Sequence, residues 1–202
     1  MRRFAGDRLL VATHNRGKLE EIAALLAPYG VEVTGAADHA LPEPDETETS
    51  FAGNARIKAH AAARATGLPA LADDSGLEID ALGGAPGVHT ADWAETGSGR
   101  DFVHAMTRAH DALLASGAPR PWTARFRCAL VLAWPNGHDE LFEGAIEGRI
   151  TWPMRGEKGH GYDPIFVPDG HEETFAEMDR WEKNRMSHRG RAMEKLVAGC
   201  FG

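Results

Sequence analysis

Asp73 and Asp74 stand side by side, after the apolar run Pro69-Ala70-Leu71-Ala72 and before Ser75-Gly76. Carboxylates at a strand end are a common way to hold a hard cation such as Mg2+. Neighbouring residues on a regular strand point to opposite faces, so both can serve one ligand only if the strand ends or bulges there. Ser75-Gly76 offers such a break, because glycine relaxes the backbone and often marks a bulge. A second strand-like run, Leu77-Glu78-Ile79-Asp80-Ala81-Leu82, follows, and then the loop Gly83-Gly84-Ala85-Pro86-Gly87. The competing reading of the pair is a solvated turn with no chemistry.

Cations that could answer these acids lie in two other places. Thr13-His14-Asn15-Arg16-Gly17-Lys18 follows the buried strand pattern Leu9-Leu10-Val11-Ala12. It precedes a helix expected over 18–27, with Leu19, Ile22, Leu25 and Leu26 at helical spacing. A strand, a glycine-containing loop and a helix start together make a natural anion site. The loop is not a Walker A motif: Ala12 stands five residues before Gly17 where glycine is needed, and Leu19 follows Lys18 where Ser or Thr is needed. The second cation, Lys58, lies on an alanine-rich helix expected from a Ser50 cap to Thr66 through Phe51, Ala55, Ala59 and Ala62. Asn54 and Lys58 are four apart and share a face. Lys58 is either simply exposed or aimed at the aspartates, where it would hold a phosphate or position water. Between the two cations, residues 41–49 form a loop with Pro42, Pro44 and the acids Glu43, Asp45, Glu46 and Glu48. It reads as a solvated acidic loop or as the source of a further metal ligand, Glu46 or Glu43.

The remaining elements frame these groups. A second strand is expected over 31–34 and an amphipathic helix over 101–116, with Phe102, Met106, Ala109 and Leu113 inward. Residues 123–134 and 138–150 pattern as a hairpin turning at Gly137, with Arg125 and Arg127 facing solvent and Phe126 and Cys128 opposite. A loop over 153–161 leads into Tyr162-Asp163-Pro164-Ile165-Phe166. A polar stretch over 180–186 holds Glu182, Lys183 and Asn184. Ser187 then caps a final helix bearing Met193, Leu196, Val197 and Cys200. His188 and Arg189 fall in its first turn, where arginine opposes the helix dipole and calls for a local anionic or hydrogen-bonding partner.

The 202 residues allow one sizeable core, so 1–202 is expected to be a single domain. Hydrophobic content of 43% and charged content of 26% are those of a soluble globular protein. The formal charge of −8 argues against a nucleic-acid binder, which carries a basic face, but permits a small anionic substrate. Cys128 and Cys200 form no metal-binding pattern and read as reduced, buried thiols. With no membrane-length apolar run and no signal-peptide pattern, the expected compartment is the cytoplasm.

Taken together, the motifs resemble the inosine triphosphate pyrophosphatase family. The matching stretches are ATHNRGKLEE from Ala12, SFAGNARIKA from Ser50, LADDSGLEIDALGGAPGVHTA from Leu71, GHGYDPIF from Gly159 and FAEMDRWEKNRMSHRGRA from Phe175. They occur in family order along nearly the whole chain. The resemblance implies an α/β fold with an elongated, strongly curved mixed β-sheet flanked by helices, and two lobes with an active-site cleft between them. It also implies a homodimer, Mg2+, and hydrolysis of dITP, ITP and XTP to the monophosphate and pyrophosphate. By the same resemblance Thr13, His14, Asn15, Arg16, Gly17 and Lys18 would cradle the phosphates, and Ser75 and Lys58 would contact them. Asp74 would be the catalytic acid/base, with Lys58 beside it, and also a metal ligand with Glu46, Asp73 and Glu43. His160, Gly161, Tyr162, Asp163, Lys183, His188 and Arg189 would surround base and sugar. The chain departs from the family at His160, often apolar, and at His14 and Glu48, where glycine is frequent. Two other readings stay open: a pyrophosphatase for modified pyrimidine nucleotides, and a nucleotide-binding module without turnover. A phosphatase releasing orthophosphate is a third.

Overall fold

The computed structural model describes the backbone of residues 1–202 and every side chain except that of Glu21. It is a mixed α/β protein. In chain order the elements are β1 (Arg8–Val11), α1 (Arg16–Leu26), β2 (Glu32–Gly35), α2 (Phe51–Thr66), β3 (Ala70–Ile79), β4 (Glu95–Thr96) and β5 (Gly99–Arg100). They continue with α3 (Phe102–Ser116), β6 (Trp122–Ala133), β7 (Asp139–Ile150), β8 (Phe166–Pro168), α4 (Arg180–Met186) and α5 (His188–Leu196), the last running into a π-helical turn over Val197–Phe201. Six strands make one sheet in the order β2-β1-β3-β6-β7-β8. By contacts the chain divides into two compact units: 1–74, 129–143 and 192–202 form the first, 75–128 and 144–191 the second.

In the first unit β1 pairs in parallel with β2 on one side and β3 on the other. Parallel neighbours need crossover connections, and α1 and α2 supply them. Strand order therefore reverses at β1, and ligands of open α/β sheets bind beyond the carboxyl ends of strands at such a switch. Leu9, Leu10, Val11, Ile22, Leu26, Leu71 and the alanines Ala55, Ala59 and Ala63 fill this core, all at or near zero exposure. In the second unit a continuous core joins Leu77, Ile79, Phe126, Phe166, Phe175 and Tyr162 to the inner face of α3.

The expected helix over 50–66 is found: the Ser50 hydroxyl accepts from Gly53 N at 3.0 Å, and Gly67 closes the helix at φ 70°. The hairpin is also found, with Trp134 N donating to His138 O at 2.9 Å across its turn. Three local readings change. First, α1 begins at Arg16 rather than at 18, because the Asn15 side chain caps it. Second, the polar stretch over 180–186 is helical, started by Asp179, whose carboxylate accepts from Trp181 N at 2.9 Å. Third, the strand bearing Asp73 and Asp74 neither ends nor breaks at Ser75-Gly76; β3 runs through to Ile79. The strand that stops is β1. Its last residue, Val11, pairs with Leu71, so the aspartates lie just beyond the point where β1 gives way to the loop at Thr13.

Candidate active site

In the first unit four segments bring opposite charges together. The loop after β1 is organised by its own side chains. Thr13 Oγ1 accepts from Asn15 N, and Asn15 Oδ1 accepts from Lys18 N, both at 3.1 Å. These bonds set the first turn of α1, with Arg16, Gly17 and Lys18 at the helix start, where amide groups and dipole favour an anion. Lys18 Nζ reaches both oxygens of Asp73, at 3.0 and 2.9 Å. Arg16 instead pairs with Glu20 along the exposed side of α1. His14 Nε2 donates to the Leu41 carbonyl at 2.9 Å, tying the loop to the start of the acidic segment.

Lys58 projects from α2 and holds two acids at once. Its Nζ lies 2.7 Å from Glu46 Oε1 and 3.7 Å from Asp74 Oδ1. The side chains of Lys58 and Asp74 are only 12% and 11% exposed, so the pairing is shielded from solvent. Burial alone would depress the lysine, but Asp74, Glu46 and Asp73 together leave its pKa raised. Burial pushes the Asp74 carboxyl up to about 6; Lys58 opposes the rise, Glu46 and Asp73 add to it, and a hydrogen bond from Asn54 lowers it. A carboxyl poised there can exchange a proton near neutral pH. Glu43 lines a cavity of about 120 Å3 together with Ala12, His14, Leu41, Lys58 and Ala62.

The second unit gathers the residues expected around base and sugar. Asp163 is 4% exposed and accepts from His160 N at 2.9 Å and from Lys183 Nζ. A side chain on Gly159 would strike the Asp163 carboxylate, and its φ of 74° also demands glycine. Lys183 additionally lies over the Phe175 ring at 5.4 Å. Gly161 packs near Phe102. Tyr162 is buried in the core, its hydroxyl donating to Thr90 O at 2.9 Å, so that side chain builds the loop from beneath. Ser187 Oγ accepts from Gly190 N at 3.0 Å and caps α5 as expected. Arg189, in the first turn, donates to Ser75 Oγ at 3.3 Å, the local partner its position called for. His188 stacks on Phe126 at 5.1 Å. Arg125 and Arg127 are only half-exposed: Arg125 pairs with Asp80 at 2.9 Å and Glu147 at 3.0 Å, and Arg127 with Glu78 at 3.9 Å.

The Ham1 family model matches residues 9–199. A dITP/XTP pyrophosphatase of Ruegeria pomeroyi is 72% identical, over 100% of this chain and 98% of that protein. The chain belongs to the Ham1 family. A second dITP/XTP pyrophosphatase, of Rhodospirillum centenum, is 56% identical over 99% of this chain and 98% of that protein. Among solved structures, a HAM1 protein from Coxiella burnetii superposes with a TM-score of 0.90 at 38% identity, covering 95% of this chain and 96% of that one. A dITP/XTP pyrophosphatase from Mycobacterium abscessus gives 0.78 at 40% identity, covering 94% and 98%.

Sequence reasoning gave no role in this Ham1 chain to Asn54 or Phe126. Asn54 carried a signal, being one turn before Lys58 on the same helix face. Phe126 carried none beyond its inward alternation. Among the described residues, no group of three or more His, Cys, Asp or Glu is arranged to hold a metal ion. Two carboxylates meet at the Lys58 ammonium, with a third on Lys18. That all-oxygen set suits Mg2+, which takes one or two protein carboxylates and completes its shell with water and substrate phosphates. Among the described residues no helix is long and apolar enough to cross a membrane.

Proposed function

We propose that this Ham1 protein hydrolyses dITP, ITP and XTP, cleaving the α–β anhydride with water to give the nucleoside monophosphate and pyrophosphate. One observation carries the proposal: Lys58, Asp74 and Asp73 are shielded from solvent, with Glu46 on Lys58 and Lys18 on Asp73, where the parallel strands of the sheet switch order at β1. The names of the relatives support the substrate class.

Asp74 takes the proton of the attacking water; its carboxyl titrates close enough to neutrality to be free for that task. Lys58 and Lys18, with the amides of His14, Arg16 and Gly17 in a loop shaped by the bonds of Thr13 and Asn15, stabilise the departing pyrophosphate. Glu46 and Asp74, with Asp73 and Glu43 as further candidates, are the groups that would hold Mg2+. Bound there, it neutralises part of the charge on the triphosphate. Lys183 and Arg189 supply hydrogen-bond donors for a 6-keto purine, with His160, Gly161, Asp163 and His188 enclosing base and sugar. Adenine presents a donor at that position and would leave such groups unpaired, at about 1–3 kcal/mol each. The reading takes 1–202 as one catalytic domain. It also includes the homodimer and a cytoplasmic setting.

Product analysis tests the proposal. With ITP and Mg2+ the protein is expected to release IMP and pyrophosphate, while Asp74→Asn loses at least about 100-fold in kcat. Orthophosphate as product, or equal turnover of ATP and ITP, contradicts it.

A further inference from the structure

We propose that Asn54 is a positioning residue for this reaction: a buried, two-headed clamp that ties the segment carrying Glu46 to the carboxyl of Asp74. The proposal rests on the pyrophosphatase reading above.

Asn54 is 2% exposed, and the other buried positions of α2 are Phe51 and alanines. Asparagine is a poor residue for a helix interior, and burying its amide is costly unless both ends are bonded. Here both are. The Oδ1 atom accepts from Glu48 N at 2.9 Å. The NH2 group is thereby left as the donor, and the side chain's second hydrogen bond goes to Asp74.

One turn along the same face, Lys58 reaches Glu46 and Asp74. A single helix turn therefore touches the acidic segment and Asp74 twice, by different atoms. Lys58 holds the Glu46 side chain, whereas Asn54 holds the backbone two residues on. The segment over 41–49 has no helix or strand of its own, so side-chain ties must fix its course. His14 anchors its start and Asn54 its end. A separate observation shows how closely that end is seated: a Cβ on Gly53 would lie 2.6 Å from Glu48 Cβ.

The test compares kcat and KM for ITP at saturating Mg2+ in the parent, Asn54→Ala, Asn54→Asp and Gly53→Ala, with amide exchange at Glu48 and thermal melting. Aspartate has the same shape and keeps an acceptor for Glu48 N–H, but it cannot donate and sets a further carboxylate against Asp74. Both Asn54 variants are expected to lose about 10- to 100-fold in kcat, with KM changed less than about threefold. Glu48 exchange should quicken in the alanine variant and stay slow in the aspartate one. Gly53→Ala, which leaves Asn54 in place but lifts Glu48 off the helix, should lose kcat in the same sense; it also serves if the Asn54 variants do not fold. Parental kcat in Asn54→Asp or in a folded Asn54→Ala overturns the proposal, as does a raised KM at unchanged kcat. A parent that releases no pyrophosphate from ITP refutes the underlying reading instead, and Glu48 exchange then reports on the clamp alone.

Discussion

Asp74 carries a carboxyl that burial, ahead of Glu46 and Asp73, pushes up to about 6, with Lys58 and Asn54 opposing the rise. In the unfolded chain it titrates near its ordinary 3.8. Between those values the native state binds more protons than the unfolded one, so raising the pH through that window lowers stability. Asp74→Asn is therefore expected to raise the melting temperature at pH 7 by about 2–6 °C in EDTA, with the gain vanishing near pH 4; scanning calorimetry reads both. The same titration predicts that kcat/KM for ITP climbs about tenfold per unit below about pH 6 and levels above it. A flat profile between pH 5 and 8 would remove Asp74 from proton transfer. The identities of these residues were legible because opposite charges recur in sharply patterned stretches. Their pairing was not: Lys18 on Asp73 follows from the register of β1 on β3, and Lys58 on Asp74 from where α2 seats its lysine, neither of which a local pattern encodes.

Helix α2 brings Asn54 and Lys58 to the cluster, so its stability is the scaffold's main local contribution. Ser50→Ala removes the side-chain acceptor for Gly53 N. The expected cost is about 1 kcal/mol, a fall of about 2–4 °C in melting temperature by circular dichroism, with the ITP product unchanged. Both ends of α2 could be read in advance because a serine cap and a glycine stop are local signals. Strand β3 shows the opposite case. Ser75-Gly76 reads locally as a break, yet β3 lies between β1 and β6, and those long-range neighbours keep the strand extended, helped by a local bridge from Glu78 to Pro86. Likewise the polar run over 180–186 hid a helix, because only its Asp179 cap marks it.

The first unit closes with the two ends of the polypeptide. Phe4 N donates to Cys200 O at 2.8 Å, Phe4 and Phe201 pack with ring centroids 5.0 Å apart, and Lys195 bonds the Glu143 carbonyl at 2.6 Å. Burial pushes the Cys200 thiol up to about 11, keeping it inert. Removing residues 197–202 deletes no site residue but uncovers this packing. A loss of about 2 kcal/mol, seen as a melting point lower by about 4–8 °C, is expected. Such interleaving of distant segments was invisible in the sequence, whereas its acidic balance and mixed α/β alternation were plain. That balance has a local counterpart. At the candidate site the ammonium groups of Lys18 and Lys58 already have their carboxylates. On the proposed reading a bare polyphosphate would find its hosts engaged, so the species that docks is the nucleotide chelate, arriving with its own counter-ion. Agents that strip magnesium from nucleotides would then silence the enzyme without ever touching it.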